Sequence, residues 1–96
     1  MRAIKLMADY QCFPLWEASP GVVGNIDPES LPISSQLQQR LMAWAAKFDA
    51  TLDAGDPASS GFDSEQAANE FQREGEALAR QLQHELGDTY LVTAKL

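Results

Sequence analysis

Hydrophobic and polar positions alternate at both ends of the chain. From Ala3 to Tyr10, Ile4, Leu6, Ala8 and Tyr10 share one parity against Ala3, Lys5, Met7 and Asp9. A period of two with one apolar face predicts a strand. Tyr90 to Leu96 repeats the pattern, with Tyr90, Val92, Ala94 and Leu96 on one face and Leu91, Thr93 and Lys95 on the other. The two chain ends are therefore expected to pair, or to lie in one small sheet.

The period changes in the middle of the chain. Leu37, Leu41, Trp44, Ala45, Phe48 and Leu52 fall on one face of a helical repeat. This helix opens at Ser34 or Ser35, with Ser35 and Gln38 at capping-box spacing and Ile33 placed as a hydrophobic staple. Asp53-Ala54-Gly55-Asp56-Pro57 ends it, and Pro57 to Gly61 reads as a turn-rich connector. A second, longer helix starts at Asp63 or Ser64, with Asp63 and Gln66 again at capping-box spacing. Its apolar stripe is Ala67, Phe71, Gly75, Leu78, Leu82 and Leu86, and Gly87 stops it where a left-handed cap belongs. Gly75 on that stripe costs about 1 kcal/mol against Ala. The compensation to expect is a close approach to the first helix, beside Trp44.

Between the first strand and the first helix, residues 11–33 hold Pro14, Pro20, Pro28 and Pro32 together with Gly21 and Gly24. No helix runs through such a segment. Phe13, Leu15, Trp16, Val22, Val23 and Ile26 make it too apolar for a linker. The plainer reading is a segment that wraps over the sheet and completes the core, with Val22-Val23 as a candidate third strand; a binding loop is the alternative. The order strand, loop, helix, helix, strand gives an α+β fold. It is a single two-layer domain over residues 1–96, its small sheet covered by two amphipathic helices. A two-stranded sheet is marginal alone, and its edges need a further strand, the loop or another chain. A homodimer through a sheet edge is one expectation that follows.

Charge changes the picture more than composition does. The 96 residues are 45% hydrophobic, the ordinary share of a folded protein. Fourteen acids stand against seven bases, for a net charge of −7. That balance argues against nucleic acid or an anionic membrane as a direct partner, since both need a basic surface. Asp9 interrupts any apolar run behind the N-terminus, and no stretch approaches the roughly 20 apolar residues of a membrane span. A cytoplasmic protein is expected. One cysteine excludes an intrachain disulfide framework and a Cys-rich zinc site. Cys12 is expected as a small buried residue, and His84, in the last turn of the second helix, as a cation suited to the helix dipole. No nucleophile elbow, phosphate loop or dinucleotide fingerprint is present, and neither a cofactor nor a metal is expected.

The acids are unevenly spread: nine of them face three bases over residues 53–96. Asp53, Asp56, Asp63 and Glu65 cluster at the helix–helix connection, and Glu70, Glu74, Glu76 and Glu85 continue along the second helix. Pairs such as Glu70–Arg73 and Glu76–Arg80 explain some of them as a solvated face. Asp63 and Glu65 also suit a helix N-terminus. The remaining excess points to a basic protein partner, steered by the negative field. Asp53, Asp56, Asp63 and Glu65 are the candidate contacts, with carboxylates standing in for nucleic-acid phosphates at a nuclease-like toxin. The protein is on this reading a non-enzymatic inhibitor or immunity protein. A homodimeric scaffold is the second reading. A small enzyme using Asp9, Asp27 and Asp49, with Tyr10, Asn25 and Trp16 lining a pocket, is the third, and it requires two of those carboxylates to meet.

Three blocks also carry a resemblance. They are Lys5-Leu6-Met7-Ala8-Asp9-Tyr10 with Cys12 and Pro14-Leu15-Trp16; Gly24-Asn25-Ile26-Asp27-Pro28 with Leu31-Pro32; and Asp49-Ala50-Thr51-Leu52 with Asp56-Pro57-Ala58-Ser59-Ser60-Gly61-Phe62. Together they are similar to a family of small bacterial proteins with no known activity, over nearly the whole chain. Where members of that family lie beside toxin genes, the resemblance implies an immunity role. Gln11 departs from the family, in which a glycine is usual there, and this calls the backbone after the first strand into question.

Overall fold

The computed structural model describes residues 1–51, 61, 62 and 64–96. Four strands form one mixed sheet in the order β3-β2-β1-β4. They are β1 (Arg2–Leu6), β2 (Leu15–Glu17), β3 (Asn25–Ile26) and β4 (Tyr90–Ala94). Two helices, α1 (Ser35–Asp49) and α2 (Glu65–Leu86), separate β3 from β4, and a short 3-10 helix spans Pro28–Ser30. The α+β architecture read from the sequence holds, and the chain ends pair as expected. β1 and β4 run parallel, with Arg2 opposite Tyr90 and Leu6 opposite Ala94, a pairing that needs the long crossover the intervening chain supplies.

The sheet is larger than the alternation suggested. Residues 11–33 contribute two strands, antiparallel to their neighbours, with Leu6 opposite Leu15 and Leu15 opposite Ile26. Val22 and Val23 are not among them. Both sit in the connection between β2 and β3, 47% and 93% exposed, and Val22 N–H donates to Ser19 C=O. Asn25 ties the new strands together: its amide donates to Phe13 and Leu15 carbonyls at 2.7 and 2.9 Å and accepts from Phe13 N–H at 2.8 Å. β1 is correspondingly shorter than Ala3 to Tyr10. Tyr10 leaves the sheet and stacks on Phe48 of α1, ring centroids 4.5 Å apart.

One core joins the inner face of the sheet to both helices. Ile4, Leu6, Leu15 and Ile26 meet Leu37, Leu41 and Trp44 of α1 and Leu78, Leu82 and Leu86 of α2, all buried. Each such Leu or Ile contributes about 1.5–3 kcal/mol relative to exposure. At the helix crossing, Gly75 lets Trp44 in: a methyl group placed on it would lie 2.8 Å from Trp44 Cζ2 and from Leu96 Cδ2. Trp44 is held there by Nε1–H donating to Phe71 C=O at 2.9 Å and by stacking on Phe71 at 4.3 Å.

Each cap is one of the two starts expected, and one residue away from the Ser35 and Asp63 of the expected capping boxes. Ser34 caps α1, its side chain accepting from Leu37 N–H, and Ser64 caps α2 by accepting from Ala67 N–H. The reciprocal acid of α1 comes from across the fold. Glu85, at the end of α2, accepts from Ser34 N–H at 2.6 Å and Ser34 Oγ at 3.0 Å. Gly87 ends α2 as expected, its N–H donating to Gln83 C=O, but at φ 78° and ψ −165° it is not the left-handed cap: the backbone turns out extended, a conformation open to glycine.

Candidate functional site

The start of α2 is set by Ser64, and Glu65 follows as the first helical residue, exposed. There its carboxylate faces the positive end of the helix dipole. Asp53, Asp56 and Asp63, the other three candidate contacts, lie outside the described residues. Glu65 is thus the one member of the set whose place is given. Phe62, just before the cap, packs on Phe71 with ring centroids 4.9 Å apart. It belongs to a run of aromatic rings that continues through Phe48 and Tyr10.

Not every acid of α2 is available to a partner. Glu74 is engaged by Lys47 of α1 at 2.8 Å, bridging the two helices. Glu85 serves the α1 cap, and the Ser34 backbone N–H, aided by Gln81 and Ser34 Oγ, holds its carboxyl below the usual carboxylate range. Among the described residues the ion pairs are Lys47–Glu74 and Arg2–Glu17. Neither Glu70–Arg73 nor Glu76–Arg80 is formed; Glu70 instead accepts from Gln66 Nε2 at 3.2 Å. Glu65, Glu70 and Glu76 are therefore exposed carboxylates spread along α2. By helical spacing Glu76 falls about 20° round α2 from Glu65, whereas Glu70 falls about 140° from it, on the side of Lys47 and Phe62. Their sequence signal is the same acid run, which the expected Arg73 and Arg80 pairs had explained away.

The three carboxylates of the enzyme reading do not converge. Asp9 Oδ1 accepts from Tyr10 N–H, Asp27 Oδ1 from Glu29 N–H as the cap of the 3-10 helix, and Asp49 Oδ1 from Gln11 N–H. Each holds backbone, Asp9 and Asp27 locally and Asp49 across the fold, from α1 to the segment after β1. Asp49 lines a cavity of about 280 Å³ with Gln11, Cys12, Phe13, Asn25 and Met42, and neither Asp9 nor Asp27 reaches it. Cys12 is half-buried there rather than in the core. Gln11 has φ 60°, the left-handed region in which glycine is favoured. His84 is exposed in the last turn of α2. Among the described residues no three His, Cys, Asp or Glu side chains gather as a metal set. A second cavity of about 260 Å³, mostly apolar, lies beside Trp44, Phe48, Phe62 and Phe71, with Lys95 on its wall. No helix among the described residues is long and apolar enough to cross a membrane.

Comparison with curated proteins returns no match. A family model does match, and it covers residues 2–94. That range takes in all four strands and both helices. By this match the chain belongs to the Serratia CdiI immunity protein-like family.

Proposed function

We propose that this chain is an immunity protein that neutralises a basic, nuclease-like toxin by binding it, without turnover, in the cytoplasm. The family match over residues 2–94 is the observation that carries the immunity reading. The charge of the chain supports the nature of the partner. Nine acids against three bases over residues 53–96 create a field that attracts cations and repels nucleic acid. A nuclease must itself be basic where it grips phosphate. Carboxylates presented from α2 compete for those same Lys and Arg side chains, as charge-assisted hydrogen bonds.

Within this reading Asp53, Asp56, Asp63 and Glu65 form the first contact patch, and Glu76, on the face of α2 that carries Glu65, extends it along the helix. Glu74 and Glu85 are spoken for inside the protein and act through the fold. Rim charges of this kind set the rate of association more than the lifetime of the complex. Protection of growth provides the test. The tagged chain is used to capture its partner at low salt, and the partner is then expressed alone and together with the chain. Arrest alone and growth together supports the proposal. A captured partner that is harmless, or one whose toxicity the chain leaves unchanged, overturns it.

A further inference from the structure

Among the described residues β4 is the last strand of the sheet, bonded to β1 on one side only. The parallel register decides which of its backbone groups face outward. Arg2 N–H donates to Thr89 C=O at 3.1 Å and Lys95 N–H to Leu6 C=O at 2.9 Å, so the odd residues of this stretch face β1. Tyr90, Val92 and Ala94 consequently turn their N–H and C=O groups to the open edge. An edge of this kind is a template for another strand.

Part of it is already occupied by a side chain. Gln83 of α2 donates from Nε2 to Tyr90 C=O at 2.9 Å and accepts at Oε1 from Val92 N–H at 2.9 Å. Nε2 also donates to Gly87 C=O at 3.1 Å, closing the helix end onto the strand. A residue of an added parallel strand would make the same two contacts, donating to one carbonyl and accepting from the N–H two residues on. The Gln83 amide is one peptide unit's worth of strand, supplied by a helix.

We infer that Gln83 is an edge guard: by pairing with Tyr90 and Val92 it keeps β4 from adding a strand of a second copy of this chain, and so keeps the protein monomeric. A helix residue needs no amide at this position for packing, because Leu78, Leu82 and Leu86 carry the buried stripe. The alternation of β4 leaves Leu91 48% exposed on the outer face of the sheet. With the guard removed, that strand offers both free backbone groups and an apolar side chain, the combination that drives edge-to-edge association. This inference stands on the sheet geometry alone and is independent of the toxin reading.

The experiment compares wild type with Gln83→Ala, which keeps helix propensity, by sedimentation from micromolar to sub-millimolar concentration. Hydrogen exchange of the Val92 and Ala94 amides is read alongside. Wild type is expected to stay monomeric with Val92 protected at least about tenfold over Ala94, whose N–H points the same way beyond the reach of Gln83. Gln83→Ala is expected to lose that protection when dilute and to self-associate as concentration rises. A folded Gln83→Ala protein that stays monomeric throughout overturns the inference. So does a wild-type Val92 amide that exchanges as fast as that of Ala94, a result that needs no variant to fold.

Discussion

Gly75 and Trp44 meet closely where the helices cross, and two opposing effects can be weighed there. Replacing Gly75 by Ala gains about 1 kcal/mol of helix propensity. The added methyl group would meet Trp44 at 2.8 Å, and that ring cannot yield, pinned by its stack and hydrogen bond to Phe71. Overpacking of a filled core costs about 1–3 kcal/mol. Gly75→Ala is therefore expected to destabilise by up to about 2 kcal/mol net in urea unfolding; a variant more stable than wild type would mean Leu96 and Trp44 move aside freely. Gln11 presents the reverse case. At φ 60° an L side chain pays roughly 1–2 kcal/mol, part of which glycine gives back as unfolded-chain entropy. Gln11→Gly should leave stability unchanged or raise it by up to about 1 kcal/mol, and Gln11→Val should lower it. Chemical denaturation of the two variants reads the difference directly. The Gly75 contact was legible in the sequence, since a glycine on an apolar stripe needs a reason. The Gln11 conformation left no trace in periodicity, and only the resemblance pointed to it.

At the scale of elements, length decided what could be read. α1, α2, β1 and β4 each repeat their period often enough to be recognised. β2 and β3 have three and two residues, and each presents one fully inward position, Leu15 and Ile26. One buried residue between Pro14 and a turn has no period. What makes these segments strands is pairing with β1 and the Asn25 amide, both non-local. Val22-Val23 looked more strand-like by propensity and lost, because neither has a surface to bury against. The α1 cap teaches a similar lesson. Its acid, Glu85, is 51 residues from Ser34, beyond any local capping pattern. The link has a measurable pH signature. The folded carboxyl of Glu85 titrates below its ordinary 4.5. Its stabilisation is thus fully present above the unfolded value and is lost as pH falls through the lowered folded value. Glu85→Gln should flatten this part of the acid limb of Tm against pH while changing little near neutrality in slope. An acid limb identical to that of wild type would show that the Ser34 bonds do not favour the charged form. Ser34→Ala, which removes the cap itself, is expected to cost about 0.5–2 kcal/mol at neutral pH.

The whole molecule is an acidic surface on a neutral frame. The core, the sheet and the helix crossing account for the apolar residues, and hydrogen bonds to backbone N–H groups account for Asp9, Asp27 and Asp49. What they leave over is the acid excess of residues 53–96 on a chain of net charge −7. Charge and missing motifs pointed to a binding role, and the family match assigns the chain to an immunity protein-like family. Partner chemistry was legible only as a sign of charge, because recognition depends on side-chain placement that periodicity does not specify. The central claim is that the patch led by Glu65 steers this chain onto a basic toxin. It is tested most directly by the association rate of the purified partner with wild type and with a variant neutralised at Asp53, Asp56, Asp63 and Glu65 (to Asn, Asn, Asn and Gln), followed across salt concentration. The account predicts a wild-type rate that falls steeply with salt. In the variant it predicts a rate at least about tenfold lower at low salt and nearly flat with salt. Equal rates and equal salt slopes for the two proteins would contradict it.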